Sequence, residues 1–550
     1  MVKSNIKPVG DVGRILSLPR ISGTCPDFTP YLKKKDGTMM LRPIQNQMLW
    51  QAAKARGLLG LVGVGEGKTL PSFLFARVVN AQKPLLLIPA SLRTQAQSDW
   101  EEYGRHFHLP THLELRSYEE ISTQPGLMRR LSPDLIICDE VHFLKNPAST
   151  RTRRIKKYFS WCARQQKPIP MFIGLSGSIT STSVKDFWHL SLWALREKTP
   201  LPMRWNIMNS WSLVLDKGQQ AKKRRDLGLI YPLMNHFHCD EAREAFRQNL
   251  VSCQGIVVSH RTDLKTKLCL HRNRRSLPED VARLLKRIDQ TWQTPDGEEL
   301  DSGLAMSRLK RQVVCGFYYF WEWPGAVDTE WLRTRSGWAK ECRLFCARAP
   351  EGLDTPALLE GGILRYLRKE LEIKFPRKLI ESYLEWLPHK PKPLPPVGVR
   401  WFSKYFLEDA IRWTKAQSDP PLIWYEHLAL GAALHQITGW PFYSAGNESD
   451  VALANVKTPH RAIISIRAHS QGKNLQAWGK HFIAHPLSDG GRWEQVLGRS
   501  HRMGQKRSRV DVIVPDFSEF SKALRSARES ALYIQQSTGV PQRLISAEWA

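Results

Sequence analysis

A glycine-rich turn that ends in lysine and threonine is the first feature of the sequence with recognisable chemistry. An apolar run leads into Gly65-Glu66-Gly67-Lys68-Thr69. A strand that enters such a turn and leaves it as a helix directs several backbone N–H groups at one point, and glycine lets the chain approach a phosphate closely. Lys68 would then bind the β- and γ-phosphates of a nucleotide, and Thr69 would bind Mg²⁺. The strict motif has a further glycine five residues before Gly67, where this chain has valine, so an ordinary glycine-rich turn is the alternative.

A pair of carboxylates supplies the second half of a nucleotide site. Asp139 and Glu140 follow an apolar run, about seventy residues after Lys68. Asp139 would hold Mg²⁺, directly or through water, while Glu140 would orient and deprotonate the water that attacks a phosphate. An acidic strand end that faces solvent is the alternative, and the phosphate-binding turn upstream makes it the weaker one. Together the two motifs predict a site for ATP and Mg²⁺.

Short apolar runs separated by helical stretches would position these motifs. This alternation is typical of a parallel α/β sheet, whose strands are buried on both faces and are therefore apolar throughout. The runs predicted to form strands are Leu58–Val64, Leu85–Ile88, Leu135–Cys138 and Met171–Leu175 in the first part of the chain, and Pro421–Tyr425, Ala462–Ile466, His481–Ala484 and Val510–Val514 in the last part. The predicted fold class is α/β, with two separate sets of strands.

The chain divides into four segments by the texture of its sequence. Residues 1–40 are irregular and rich in proline, 41–195 hold the first set of strands, and 400–550 hold the second set with a helical tail near Phe517–Gln536. Residues 196–399 lie between them, are mainly helical in pattern and end in a proline-rich linker. We therefore predict two α/β lobes joined by a mainly helical insertion.

The charge balance of the chain is strongly basic. The 550 residues include 81 Lys and Arg against 52 Asp and Glu, a formal net charge of +29, which favours a polyanionic partner such as nucleic acid. A hydrophobic fraction of 42% excludes intrinsic disorder over most of the length. The apolar runs are too short for membrane spans, no signal peptide is recognisable, and nine Cys are too few for a disulfide scaffold. The composition predicts a soluble protein of a reducing compartment.

Several further motifs, in a fixed order along the chain, are similar to those of one enzyme family. They are Leu41-Arg42-Pro43-Ile44-Gln45, Ser117-Tyr118-Glu119, the extension Leu144-Lys145-Asn146 of the acidic pair, Leu175-Ser176-Gly177-Ser178, and the run EQVLGRSHRMGQ from Glu494 to Gln505. This set resembles the superfamily-two helicases and, more narrowly, the Swi/Snf-type DNA translocases. The resemblance covers about 41–195 and 400–515 and extends weakly to Val257–Asp263.

The resemblance implies a fold, an activity and additional site residues. The two lobes would be RecA-like, with ATP and Mg²⁺ in the cleft between them. Gln45 would contact the adenine and Gln495 would also bind the nucleotide. Arg499 and Arg502 would be arginine fingers from the second lobe, since a guanidinium suits the charge that develops on a transferred phosphoryl group. A basic helix that binds a phosphate backbone is the alternative for these two arginines.

Three other features allow more than one interpretation. The aromatic run Phe317–Trp323, with Trp331 and Trp338, favours a packed core over a base-stacking platform. The basic runs Arg151–Lys157 and Lys222–Arg225 are either solvated faces or contacts to DNA phosphates, and we expect such contacts at one or both. A group of potential zinc ligands has a spacing that fits no common finger: His236, His238, Cys239 and Cys253.

The function predicted from these observations is an ATP-driven translocase on double-stranded DNA, in the bacterial cytoplasm or in a phage-infected host cell. A strand-separating or branch-migrating helicase is the alternative among enzymes, because the same motor can do either. A catalytically inactive, basic DNA-binding scaffold is the alternative from another class, and the retained ATP-site residues argue against it. RNA is a weaker candidate partner than DNA, and no membrane partner is expected.

Overall fold

The computed structural model describes residues 10–217, 228–259, 264–297, 300, 302–454, 456 and 458–550. Within these residues the chain forms two large parallel β-sheets, of six and seven strands, and one two-stranded antiparallel ribbon, all accompanied by helices. The predicted α/β class is confirmed at this level. We call the unit around the six-stranded sheet the first lobe and the unit around the seven-stranded sheet the second lobe, and we number elements in chain order.

The first lobe is built on strands that are almost entirely buried. They are β1 (Leu58–Leu61), β2 (Pro84–Ile88), β3 (Glu114–Ser117), β4 (Leu135–Asp139), β5 (Met171–Leu175) and β6 (Ile256–Val258). The strands lie in the order β3-β2-β4-β5-β1-β6, and every neighbouring pair is parallel. All but β3 are buried along their whole length, which explains why their sequences are apolar without alternation.

The second lobe repeats this parallel arrangement with strands from distant parts of the chain. They are β7 (Lys267–Arg274), β10 (Leu422–Tyr425), β11 (Phe442–Tyr443), β12 (Ala462–Ser465), β13 (Lys480–Ile483), β14 (Arg509–Asp516) and β15 (Glu548–Trp549). Their order is β11-β12-β10-β13-β14-β7-β15. The eight runs predicted to be strands are all strands in the structure, with ends that shift by up to three residues.

Two strands of the large sheets lie inside the segment 196–399, which the sequence texture described as mainly helical. β6 belongs to the first sheet and β7 to the second, so the chain passes from one lobe to the other between them. β6 has only three residues, and five of the eight residues of β7 are exposed or partly exposed. Neither strand therefore has the long apolar run that marks the other buried strands.

Helices fill the connections between the parallel strands, as such crossovers require. Those before β7 are α1 (Asp11–Leu16), α2 (Thr29–Leu32), α3 (Pro43–Ala55), α4 (Thr69–Val78), α5 (Arg93–His106), α6 (Tyr118–Thr123), α7 (Leu127–Leu131), α8 (Thr150–Arg164), α9 (Trp188–Leu195), α10 (Trp205–Leu215), α11 (Tyr231–His236) and α12 (Ala242–Ser252). Those after β7 are α13 (Glu279–Thr291), α14 (Gly303–Val314), α15 (Thr329–Cys346), α16 (Pro356–Leu367), α17 (Arg377–Trp386), α18 (Tyr405–Ala416), α19 (Leu428–Thr438), α20 (Asn447–Ala454), α21 (Ile466–His469), α22 (Gly490–Leu497), α23 (Ser518–Thr538) and α24 (Arg543–Ser546).

Residues 317–401 form a unit that we call the insertion module. It contains α15 to α17 and the ribbon of β8 (Phe317–Trp321) and β9 (Val397–Trp401). Trp331 and Trp338 are buried in a separate hydrophobic core within the module, and Phe317 is buried where the ribbon packs on the second lobe. The interpretation of these three rings as core is confirmed. Trp321 and Trp323 remain partly exposed and stack with their ring centroids 6.0 Å apart.

The predicted helical tail is α23, which packs against both lobes. Leu524 and Ala527 belong to the core of the second lobe, while Tyr533, further along the same helix, is buried in the core of the first. The chain then turns back through α24 and adds β15 to the edge of the second sheet. Among the described residues, no helix combines the length and the apolar character needed to cross a membrane.

Candidate functional site

The glycine-rich turn connects β1 to α4 in a conformation that its two glycines make possible. Gly65 and Gly67 have φ angles of +89° and +80°, a left-handed conformation that residues with a Cβ atom rarely adopt. A Cβ on Gly67 would also lie 2.7 Å from Nε2 of Gln45. Because α4 begins at Thr69, the N–H groups of its first turn and the positive end of its dipole lie at this loop. The turn therefore has the geometry of an anion cradle.

Lys68 is buried within the turn. Its Nζ atom donates hydrogen bonds to the carbonyl oxygens of Val62 and Gly63, at 3.1 and 3.2 Å. The same atom lies 3.8 Å from Oε1 of Glu140. An ammonium group held by carbonyl oxygens and one carboxylate can transfer to phosphate oxygens, which are stronger, charged acceptors.

The carboxylate pair lies at the end of β4, beside this turn. Glu140 has a φ of 56°, in the left-handed region that few non-glycine residues occupy, and the chain is fixed just before it by Tyr118, whose hydroxyl donates to the Asp139 carbonyl at 2.8 Å. Burial and the neighbouring Glu140 carboxylate raise the pKa of Asp139. Burial acts in the same direction on Glu140, but Lys68 and His142 outweigh it and hold the pKa of Glu140 below its usual value. Glu140 is therefore the carboxylate that stays ionised.

His142 and Ser176 complete the surroundings of Glu140. The Nδ1 atom of His142 lies 3.2 Å from Oε2 of Glu140 and 3.0 Å from the Ser176 hydroxyl. That hydroxyl also donates to Oε2 of Glu140 at 3.4 Å. Ser176 stands in a motif that carries the family resemblance, and His142 follows the carboxylate pair by two positions, yet no role was predicted for either. Their contact joins the ends of β4 and β5, and no local sequence pattern reveals it.

Arg499 and Arg502 reach the same place from the second lobe, just after α22. The Nε atom of Arg499 donates to the Gln495 carbonyl at 2.9 Å, and its Nη1 atom donates to the Lys473 carbonyl at 3.2 Å. Burial lowers the pKa of Arg499, and the neighbouring Arg502 acts in the same direction. Burial and the nearby Arg543 likewise lower the pKa of Arg502. Arg499 is buried and Arg502 is partly buried, and two cations so close together favour an anionic ligand between them.

A cavity of about 290 Å³ lies between the two lobes and joins these groups. Eight of the ten predicted site residues line it: Gly65, Gly67, Lys68, Thr69, Asp139, Glu140, Arg499 and Arg502. The first lobe supplies the cradle, the ammonium and the two carboxylates, and the second lobe supplies two guanidinium groups. This set can hold a polyphosphate and orient a water molecule against it.

Gln45 and Gln495 are not among the residues that line this cavity. The side chain of Gln45 accepts a hydrogen bond from the Arg42 N–H at 2.8 Å and donates one to the Gly67 carbonyl at 2.8 Å. Gln495 accepts a hydrogen bond from the Gln471 side chain at 3.2 Å. In this arrangement Gln45 supports the glycine-rich turn, and Gln495 links two segments of the second lobe.

One wall of the cavity was not predicted from the sequence. Gln95, Asp99 and Tyr103 line it from α5, and the Gln95 side chain donates to Oδ1 of Asp99 at 2.7 Å. Burial raises the pKa of Asp99 and of Tyr103. Lys473 and Asn474 line it from the second lobe. The spacing of four residues along α5 puts its three side chains on one face, and this is the signal by which the sequence could have indicated them.

Thr69 and Asp139 suit a Mg²⁺ ion by the chemistry of their donors. Both line the same cavity, and hydroxyl and carboxylate oxygens are ligands that Mg²⁺ accepts beside water and phosphate. Burial and Glu140 raise the pKa of Asp139, so a divalent cation would favour its ionised form. The residues present therefore fit the predicted ion.

The basic run over 151–157 lies elsewhere and mostly serves another purpose. Arg154 is buried, and its Nη2 atom lies 2.9 Å from Oδ1 of Asp354 in the insertion module. Arg153 donates to the Asp354 carbonyl at 3.0 Å, and Lys157 donates to another carbonyl of the module at 2.9 Å. Much of this run is therefore an interface between the first lobe and the insertion module. Lys156 is exposed and stays a candidate for contact with DNA.

Two predicted features lie wholly or partly outside the described residues. The basic run over 222–225 does, and so do residues 260–263 of the weak motif. In the part of the chain that the structure describes, no three His, Cys, Asp or Glu side chains gather in a way that could hold a metal ion, so no ligand cluster supports the zinc alternative.

Comparison with known proteins identified no relative: no family model and no curated protein matches the chain. The function must therefore be inferred from the residues of the cavity and from their chemistry. Eight predicted residues from two lobes meet there, although Gly65 and Arg502 are separated by more than four hundred positions in the chain.

Proposed function

We propose that this protein is a DNA-dependent ATPase that uses two RecA-like lobes to translocate on, or remodel, double-stranded DNA. The observation that carries the proposal is the cavity between the lobes, with the cradle and carboxylates on one side and the two arginines on the other. Such a division makes hydrolysis depend on the relative position of the lobes. The motif order that resembles Swi/Snf-type translocases supports the same function.

Each group has a definite part in hydrolysis. The N–H groups of the turn and Lys68 bind the phosphates of ATP, while Mg²⁺, when bound by Thr69 and Asp139, neutralises phosphate charge. Lys68 and His142 keep Glu140 ionised, so its carboxylate can orient the attacking water and accept its proton as the phosphoryl group is transferred. Arg499 and Arg502 stabilise the charge that develops on the transferred phosphoryl group.

The contacts of the segment 176–178 support a coupling of hydrolysis to lobe movement. Gly177, in the segment after β5, packs so closely on Gly63 that a Cβ would lie 3.0 Å from its Cα atom. A Cβ on Gly491 of α22 would lie 2.9 Å from the Ser178 side chain. The segment 176–178 therefore contacts both the phosphate-binding turn and the helix that leads to the arginines, so a change at one can reach the other.

The basic composition supports a nucleic-acid partner, and the family resemblance favours duplex DNA over RNA. A motor needs contacts to the phosphate backbone that do not depend on base sequence, and such binding weakens as salt increases. A strand-separating helicase remains the second candidate. Displacement of a triplex strand without unwinding of a forked duplex would support translocation, whereas unwinding of the fork would support the helicase.

The proposal is tested by phosphate release from ATP with and without duplex DNA. We expect stimulation by DNA, and we expect Lys68→Ala and Glu140→Gln to abolish it while DNA binding survives. Lys83→Ala and Glu101→Gln are matched controls, because both side chains are exposed in the same lobe. Wild-type protein that binds DNA but releases no phosphate would identify an inactive scaffold instead. Greater stimulation by duplex RNA than by DNA would change the partner.

A further inference from the structure

A third arginine reaches the glycine-rich turn from the C-terminal end of the chain, outside every motif described above. Arg543 is the first residue of α24, and its Nη2 atom donates to the Val64 carbonyl at 3.0 Å. Its Nε atom donates to the His501 carbonyl at 2.9 Å, and His501 stands between the two arginines of the cavity in sequence. One guanidinium therefore joins the turn of the first lobe to the arginine-bearing segment of the second.

The same guanidinium is paired with a carboxylate on α22. The Nη1 atom of Arg543 bonds to Oε1 of Glu494, and the Arg543 backbone N–H donates to Oε2 at 2.7 Å. Glu494 is 1% exposed, and burying a carboxylate so deeply is costly unless a cation pairs with it. Since α22 leads directly to Arg499, this pair fixes Arg543 to the helix that positions the predicted arginine finger.

Arg543 acts on the turn from beside the nucleotide cavity. The described residues that line the nucleotide cavity with Lys68 do not include Arg543. It lines a neighbouring cavity of about 300 Å³, together with Gly63 and Glu66 of the same turn. Arg543 therefore contacts the turn without lining the predicted phosphate position, as we expect of a positioning residue.

The C-terminal segment brings Arg543 to this place by crossing between the lobes. The preceding helix buries Leu524 in the core of the second lobe and Tyr533 in the core of the first. The residues after Arg543 form β15, which pairs with β7 of the second sheet. Arg543 is thus held on both sides in the chain, at the seam between the two lobes.

We propose that Arg543 is a positioning residue for ATP hydrolysis. By bonding the Val64 carbonyl, the His501 carbonyl and Glu494 at once, it keeps the phosphate-binding turn and the two arginines in register across the cleft. This inference rests on the proposed function, because ATP is what the turn and the arginines would bind together. Arg543 itself makes no bond to the nucleotide.

The test uses Arg543→Lys in the full-length protein. Lysine keeps a positive charge for Glu494, but one ammonium group cannot reach three acceptors in the fixed fork of a guanidinium. We expect kcat of the DNA-stimulated ATPase to fall about tenfold, the effect of one charge-assisted hydrogen bond. KM for ATP should stay within about twofold, because Lys68 and the turn still bind phosphate. In the nucleotide-free protein, the amides of residues 62–69 should exchange hydrogen faster.

Arg525→Lys is the matched control, since Arg525 is exposed on α23, and it should change none of the three quantities: kcat, KM and the exchange rates. If the single variant fails to fold, the double variant Glu494→Gln, Arg543→Gln removes both buried charges together and should lose the same activity. Unchanged exchange over 62–69 with kcat within about twofold of wild type would overturn the inference. Wild-type protein without DNA-stimulated hydrolysis would refute the proposed function instead, and the exchange measurement would then show only whether Arg543 holds the turn in place.

Discussion

The first lobe has two junctions, one with the second lobe and one with the insertion module, and they use buried arginine in opposite ways. At the insertion module, Arg154 meets Asp354 in a buried ion pair of 2.9 Å. At the cleft, Arg499 is held by backbone carbonyl oxygens and lines a cavity with Arg502 and Lys68. A buried cation that a protein carboxylate already matches is structural, whereas cations gathered around a cavity indicate an anionic ligand.

The largest expected effect is that of Arg499→Ala, which tests whether the arginine at the cleft serves an anionic ligand rather than the fold. We expect kcat of the DNA-stimulated ATPase to fall about 10³-fold or more, the usual contribution of an arginine finger. Thermal stability should stay the same or rise, because the substitution removes a cation whose pKa is lowered by burial. Steady-state kinetics and thermal unfolding measure the two quantities, with exposed Arg525→Ala as the control. A large loss of stability with activity retained would make Arg499 structural, like Arg154.

The second effect concerns the junction with the insertion module. It should lower the free energy of unfolding and leave the rate of ATP hydrolysis unchanged. Asp354→Ala removes the nearer carboxylate from buried Arg154 and leaves only Glu351, at 3.9 Å. Breaking a buried pair in this way destabilises proteins by about 3–5 kcal/mol. Chemical denaturation would show the loss, while ATPase activity per folded molecule should be kept. Glu385→Ala is the control, since its pair with Arg333 is exposed and contributes about 0–1 kcal/mol. Equal losses in the two variants would mean that the Arg154 pair is no stronger than a surface contact.

The smallest expected effect concerns the basic run over 151–157, where an exposed residue can be compared with residues at the interface. Lys156 is exposed, whereas Arg153, Arg154 and Lys157 are engaged with the insertion module. If Lys156 contacts a DNA phosphate, Lys156→Ala should lower the slope of log binding constant against log salt by about 0.9. Binding titrations at several salt concentrations measure this slope, with Lys83→Ala as the control. An unchanged slope would assign Lys156 to the solvated surface.

The features that could be predicted are those whose physical cause is local. β2 and the first four residues of β4 are apolar because both faces of each strand are buried, so a short window of sequence was sufficient to indicate them. β6 and β7 escaped prediction because one is very short and the other is partly exposed. The glycine-rich turn was recognisable because its backbone conformation itself selects glycine.

The parts of the site that escaped prediction depend on partners that are far away in the chain. Arg154 and Asp354 are 200 residues apart, and nothing near either one distinguishes this structural arginine from one that binds phosphate. Arg543 and Val64 are 479 residues apart. The face of α5 that lines the cavity could have been noticed from its polar spacing, but that spacing is also typical of a solvated helix face.

The sequence by itself determined the α/β class and the chemical groups of the proposed nucleotide site, because strand burial, glycine conformation and the order of the motifs depend on neighbouring residues. Only the tertiary structure decided which of the 81 Lys and Arg residues meet at the cavity and which are neutralised in an interface. A guanidinium has the same chemistry in every position. Its role depends on the carboxylate, carbonyl or cavity beside it, and folding alone brings those neighbours together.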